Sequence, residues 1–398
     1  MPPTKIDAST VRSIKQAVSE NRIVETATKL IAVPSPTQSA AKVADALAAM
    51  LTEEGFEVER PEAGWVPAPA VVCRFHSGQP GPVLQFNGHL DTVHLPFVPP
   101  RVENGVLYGS GSSDMKGGIA AMIEAMRVLR ETKTLTRGGI LITAHDLHES
   151  PWGDGHQVDD LIREGYVGDA VLLPEYLADR LPIVGRGLCI LEIDVKRSGI
   201  PVHEVLGGIE QPSVIYAGAE IVQQFQQMDR ELAKLTHPMG LRESMFVGQI
   251  HGGEIYNQAP TELHLSGTRR WLPGHDWNDI RAELETMLQS IASETGTEIT
   301  CAYHFSRDAY EIDPSHPAVK AFEVACIQVM GQPLPVGAKP FVDDGNTFAS
   351  LGKIPAITHG PDANGAHTLN EEVPVAELIR VAEVYALTAI GFCNGVYT

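Results

Sequence analysis

His89 and Asp91, two residues apart just beyond the apolar run Pro82-Val83-Leu84-Gln85-Phe86, could together hold and orient a metal ion. Residues i and i+2 of a strand face the same side, so both can point into one cleft. An imidazole that binds a metal usually donates its other N–H to a carboxylate, and Asp91 is placed to accept it. Alone, a His-x-Asp pair is more often a solvated loop. Here it has company, because Asp114, Glu149, Glu175 and His367 each follow a strand-like or Gly-rich segment. Ligands of open α/β sheets bind beyond the carboxyl ends of the strands, so residues far apart in the chain can converge there. Mixed Asp, Glu and His ligation suits zinc, manganese or cobalt and disfavours a thiolate-type structural zinc. His89, Asp114, Glu149, Glu175 and His367 are enough donors for a shared carboxylate such as Asp114 to bridge two ions, the arrangement of co-catalytic metal hydrolases.

The elements that must position these residues are visible as well. Short apolar runs at 83–86, 140–144, 170–173 and 354–358 read as strands buried on both faces. With helical patterns between them, they predict an α/β fold with a mostly parallel sheet flanked by helices. The clearest helix starts near Asp114 and carries Ile119, Met122, Ile123, Met126 and Leu129. Its opening loop, Gly109-Ser-Gly-Ser-Ser-Asp114, superficially matches a dinucleotide loop, but the aspartate would repel a pyrophosphate.

Between 186 and 305 the texture changes. Leu191, Ile193 and Val195 alternate with polar neighbours, as do Ile299, Cys301, Tyr303 and Phe305, the pattern of half-exposed antiparallel strands. Further strands are expected at 245–250 and 262–268, with helices at 213–228 and from Trp277 after a cap at Asp276. The order β-α-β-β-α-β is that of a ferredoxin-like insert. The chain therefore divides into 1–185 and 306–398, two parts of one sheet domain, and the inserted 186–305.

The 398 residues carry 30 Lys+Arg against 50 Asp+Glu, a net charge of -20 that repels phosphate backbones and anionic lipid. Nucleic-acid and membrane roles are not expected. The five cysteines form no CxxC pair and read as buried reduced thiols, all but Cys393 within a strand or helix pattern. Residues 1–18 hold no apolar leader core and no segment reaches the length of a membrane span, so a cytoplasmic location is the expectation.

Four segments together resemble a known family: Gly88-His89-Leu90-Asp91-Thr92-Val93, Gly109 to Gly118, Gly252-Gly253-Glu-Ile-Tyr-Asn257-Gln-Ala-Pro260, and Gly360-Pro361 through His367-Thr-Leu-Asn370-Glu371. They are similar to the aminoacylase, acetylornithine deacetylase, succinyl-diaminopimelate desuccinylase and glutamate carboxypeptidase family, in the right order over nearly the whole chain. The resemblance implies that Asp114 bridges two metal ions, that His89 and Glu175 complete one site, and that Glu149 and His367 complete the other. It implies that Asp91 orients His89 and that a water between the ions attacks a substrate carbonyl. The insert would be a lid and dimerisation domain, with His203 of Ser198-Gly-Ile-Pro-Val-His203 reaching a neighbouring subunit's site. Asn257 and Arg270 match lid positions that hold substrate, the arginine by gripping a carboxylate in fork geometry.

The family usually shows two consecutive glutamates, general base then ligand, where this chain reads His145-Asp-Leu-His148-Glu149. His148 therefore stands at the base position, with Asp146 as the alternative proton acceptor. A neutral base beside two cations lacks the attraction a carboxylate would have, which moves weight towards unusual C–N bonds of the ureido or aryl-amine type. The leading expectation is a hydrolase of an amide-type C–N bond in a small carboxylate-bearing substrate. Phosphoester hydrolysis would need a basic cluster near the ligand loops, which the sequence lacks, and a binding scaffold that has lost its base is the non-enzymatic alternative.

Overall fold

The computed structural model describes residues 6–396. It separates into two compact units, one of 1–183, 312–339 and 343–398 and one of 184–311 and 340–342.

The first unit is built on a six-stranded sheet. Its spatial order is Glu57–Glu59, Val71–His76, Gly139–His145, Val83–His89, Ala170–Leu173 and Ala356–Thr358. The last four run parallel to one another, Val71–His76 runs antiparallel to them, and Glu57–Glu59 runs antiparallel to Val71–His76. Gly139–His145 is buried at all seven positions, as a strand covered on both faces must be. The strand expected over 354–358 is regular only at Ala356–Thr358.

The helix Lys116–Thr132 begins two residues later than its periodicity suggested, because Asp114 and Met115 belong to the loop that delivers a carboxylate. It is buried almost all round, against Val83–His89 and the helices Glu20–Ile31 and Val375–Cys393. Glycine is required at its start, since a Cβ on Gly118 would lie 2.3 Å from the carbonyl oxygen of Pro174. That close approach brings the loop after Leu173, which carries Glu175, against the helix entry.

The second unit has the order strand Gly187–Lys196, helix Val214–Leu232, strands Ser244–Gly252 and Glu262–Trp271, helix Trp277–Thr295 and strand Glu298–Arg307. All pairs are antiparallel, with Ser244–Gly252 and Glu298–Arg307 at the edges. Asp276 caps the second helix through the Asn278 N–H. Leu191, Ile193 and Val195 face Ile221, Phe225, Leu284 and Leu288 in one core, each such burial contributing about 1.5–3 kcal/mol before entropy. The side chain of Phe305, expected in that alternation, lies outside the described residues.

All five thiols are free; Cys301 is only half-buried, because its strand lies at a sheet edge, and Cys393 ends a helix rather than lying outside one. Among the described residues no helix is long and apolar enough to cross a membrane.

Candidate metal centre

The parallel strands end side by side, with His89 paired to His145 in register. His89 closes its strand, Glu149 lies four residues beyond Gly139–His145, Glu175 two beyond Ala170–Leu173, and His367 in the loop after Ala356–Thr358. Asp114 comes from the helix entry. The structure brings these five together in the first unit.

Asp114 offers one oxygen to each side. Its Oδ1 lies 3.0 Å from His89 Nε2, and its Oδ2 lies 3.2 Å from His367 Nε2. Glu175 stands 3.9 Å from His89 Nε2, and Glu149 3.1 Å from His367 Nε2. Donor atoms of His89, Asp114 and Glu149, and of His89, His148 and Glu175, lie within 4.8 Å of one another. Such spacings are those of ligands sharing an ion at about 2.0–2.2 Å.

The proton inventory fits cations there. His89 Nδ1 lies 3.0 Å from the Asp91 carbonyl, which only accepts, so Nδ1 bears the proton. Nε2 of the neutral ring then points a lone pair at carboxylate oxygens, an arrangement that needs a metal ion or a proton between them. Burial works against charge on His89, but Asp114 and Asp91 outweigh it and hold the imidazole well above its ordinary range. Burial likewise opposes the charge on Asp114, yet His367 and His89 keep it below the usual carboxylate range. Asp114 and Glu149 lift His367 to about 10. Burial and then Asp114 push Glu175 well up.

The two histidine shifts have one sign in the metal-free protein. A group whose folded pKa lies above its unfolded value, about 6.5 for histidine, contributes stability that is full below that value and lost as pH rises through the folded one. The metal-free protein should therefore lose thermal stability between about pH 6.5 and 10, the window set by His367. Zinc-loaded protein should show a flatter profile. Melting curves across that range check it, and equal slopes for the two forms would count against it.

Asp91 does more than face His89. Its Oδ1 is 3.5 Å from His89 Nδ1, while its Oδ2 accepts the Glu149 N–H at 3.0 Å, tying two ligand loops together. His148 stacks on His89, ring centroids 4.0 Å apart and ring planes 3° from parallel, with Nε2 4.0 Å from Glu175. Asp146 is not available as a base. Its oxygens accept the N–H groups of Gln38, Leu147 and Ala40 and the Trp65 indole N–H, which makes it an anchor for the loop.

Two carboxylates outside the expected set complete the surroundings. Asp344 lies 3.0 Å from His148 Nδ1 and 2.9 Å from His145 Nε2. Glu371 accepts the backbone N–H groups of Gly111, Ser113 and Asp114 and the Ser113 hydroxyl. The pairing of Glu372–Pro374 with Val106–Tyr108 delivers it there. The loop that superficially matched a dinucleotide loop thus does hold an acidic group, a carboxyl supplied by the chain itself. An acidic pair followed by glycine, Asp343-Asp344-Gly345, opening a short helix was the available signal for Asp344.

His203, Asn257 and Arg270 belong to the second unit. His203 Nδ1 accepts the Val205 N–H, and Nε2 lies 2.8 Å from the side-chain amide of Asn257. Arg197, unmarked in the sequence, holds this ribbon by donating to the carbonyls of Pro260, Ser198, Ile200 and Ala259. Arg270 stands on another strand, its pKa pushed down by burial and by Arg186, with Nη1 buried and unbonded.

Residues 85–390 match the family described as Peptidase family M20/M25/M40. The chain belongs to that family. A succinyl-diaminopimelate desuccinylase of Methylobacterium radiotolerans is 35% identical, over 89% of this chain and 93% of that protein. Among solved structures, a tripeptidase from Staphylococcus aureus superposes with TM-score 0.77 at 22% identity, covering 94% of this chain and 99% of that one. A dinuclear metal-binding M20 peptidase from Bacillus subtilis superposes with TM-score 0.67 at 14% identity, covering 93% and 97%. As an M20 protein the chain is a metallohydrolase of amide-type C–N bonds, with a mostly parallel catalytic domain and an inserted ferredoxin-like domain.

Proposed function

We propose that the chain is a homodimeric deacylase or dipeptidase-like hydrolase of a small N-acylated substrate bearing a carboxylate, working with two divalent ions per chain, zinc foremost and manganese or cobalt as substitutes. The observation that carries this reading is Asp114, whose two oxygens serve two separate His–Glu pairs. His89 and Glu175 would hold one ion and Glu149 and His367 the other, with Asp114 between them. Bound there, the ions polarise the scissile carbonyl and lower the pKa of an attacking water.

The remaining steps belong to side chains. Asp91 keeps the His89 proton on Nδ1, so that Nε2 faces the centre. His148 accepts the proton of the attacking water at Nε2 and passes it to the departing amine. His203 acts on the neighbouring subunit's substrate, stabilising the charge that develops on the carbonyl oxygen. Asn257 supports that ring, and Arg270 grips the substrate carboxylate with its unbonded Nη1. A cytoplasmic site of action belongs to the same reading, in keeping with five free thiols.

Turnover on a panel of N-acyl amino acids, dipeptides, ureido acids and aryl amines tests the substrate class. His148 in place of a carboxylate favours the last two as the second reading. Arg270→Ala should lower kcat/KM for the preferred acid by about 10- to 100-fold, the worth of a charged hydrogen bond, and leave its methyl ester nearly unaffected. Equal losses on acid and ester would make Arg270 structural.

Exposed apolar side chains flank His203 and Asn257 in the second unit, among them Leu206 at 77%, Ile209 at 82% and Tyr256 at 99% exposure. Such a cluster supports association through this unit. Mixing His203→Ala with His148→Ala, each inactive alone, should restore about a quarter of wild-type activity if His203 works in trans, since half of the random dimers are mixed and each has one intact site. No recovery, or a monomer by light scattering with full activity, would refute the trans role.

A further inference from the structure

The polar groups beneath the metal centre form a line of hydrogen bonds with a direction. Gln85, buried between strands, accepts the Gly168 N–H and donates through Nε2 to the Thr143 hydroxyl at 2.8 Å. Thr143 donates to Asn87 Oδ1 at 2.8 Å, and Asn87 Nδ2 donates to Asp344 Oδ2 at 3.2 Å. Gln85, Asn87 and Thr143 are fully buried and Asp344 is 2% exposed. From Gln85 onwards each group donates to the next towards Asp344, and Gln85 Nε2 also donates to the Tyr166 carbonyl at 3.3 Å. Hydrogen bonds in series polarise one another, so such a line favours a negative charge at its end.

Two imidazoles meet that carboxylate, His145 Nε2 at Oδ2 and His148 Nδ1 at Oδ1. Nδ1 of His145 is spent on the Asp146 carbonyl at 2.9 Å, which fixes the ring. An ionised carboxylate only accepts, so His148 must give it the Nδ1 proton. Its Nε2 then carries a lone pair and, among the described residues, the carboxylate nearest to it is Glu175 at 4.0 Å. A histidine serving the core alone would have both nitrogens engaged.

We propose that Asp344 is the positioning residue of the centre: it fixes His148 in the Nδ1–H form with Nε2 free towards Glu175 and His89. This deepens the reading of His148 as proton acceptor and rests on it for its catalytic consequence, though not for its geometry.

The test uses the zinc-loaded dimer or monomer as purified, with ¹⁵N-labelled histidine and the His148 signals identified by their absence in His148→Gln. Wild type should show a protonated, hydrogen-bonded Nδ1 and an unprotonated Nε2. Asp344→Asn, which can turn a donor amide towards Nδ1, should move the proton to Nε2 and lower kcat by about 10²- to 10⁴-fold with KM little changed. Asp344→Glu should restore part of the Nδ1–H population. A wild-type Nε2–H signal, or a tautomer unmoved by Asp344→Asn, would overturn the proposal; if Asp344→Asn does not fold, the wild-type spectrum decides alone. An Nδ1–H ring whose Nε2 resonance shifts as a zinc ligand would uphold the positioning by Asp344 and remove the base role, so the two failures are told apart.

Discussion

Asp114→Ala is expected to hold about one divalent ion or fewer per chain where wild type holds about two, and to lose at least about 10³-fold in kcat, since the bridging of two ions accounts for several kcal/mol of transition-state stabilisation. The reason lies in the division of its carboxylate between His89 and His367. With that side chain gone, each half keeps one histidine and one glutamate, too few donors for tight binding at either. Elemental analysis after zinc loading and dialysis reads the first effect. A variant retaining both ions would show that Asp114 is not shared.

His148→Ala separates chemistry from metal binding. Loss of a general base costs about 10²- to 10⁴-fold in kcat, and here the ion content should stay at the wild-type value. Burial and the stacked His89 oppose charge on this imidazole, while Asp344 and Glu175 outweigh them and lift it to about 9 in the metal-free centre. His148→Glu should support turnover of an ordinary N-acyl amino acid and fail on a substrate that needs the imidazole. Should His148→Ala keep near wild-type kcat, the base lies elsewhere, and Asp146 with four donors already on its oxygens is not the substitute.

The sequence made the candidate ligand residues legible because each stands at the end of an apolar run or beside glycines, and strand ends converge for topological reasons. The β-α-β-β-α-β insert was equally plain, since its strands show a clean alternation. What the pattern could not carry was direction. Asp146 and Asp344 are both acidic residues near His148, one by sequence and the other by fold, and only the coordinates show that the sequence neighbour faces backbone N–H groups while the distant one faces the imidazole. Arg197 was silent for a similar reason: an arginine that serves four carbonyls has the same letter as one that serves water. The helix Glu20–Ile31 carries Ile23, Ala27, Leu30 and Ile31 at helical spacing, a signal present in the sequence, and with Ala8–Ala17 it covers Lys116–Thr132.

The seat of Glu371 among the Gly111, Ser113 and Asp114 amides sets a schedule for the protein's own manufacture. Glu371 follows Asp114 by 257 residues, and Asp344 and His367 also arrive late. A nascent chain that has already folded its strands Val83–His89 and Gly139–His145 still has an unanchored Asp114 and an unpartnered His148. Acidic groups that will share ions must wait, mutually repelling, until the last part of the chain emerges. On the proposed two-ion reading, metal capture would follow the emergence of these late residues, and a chain truncated before Glu371 should fail to load.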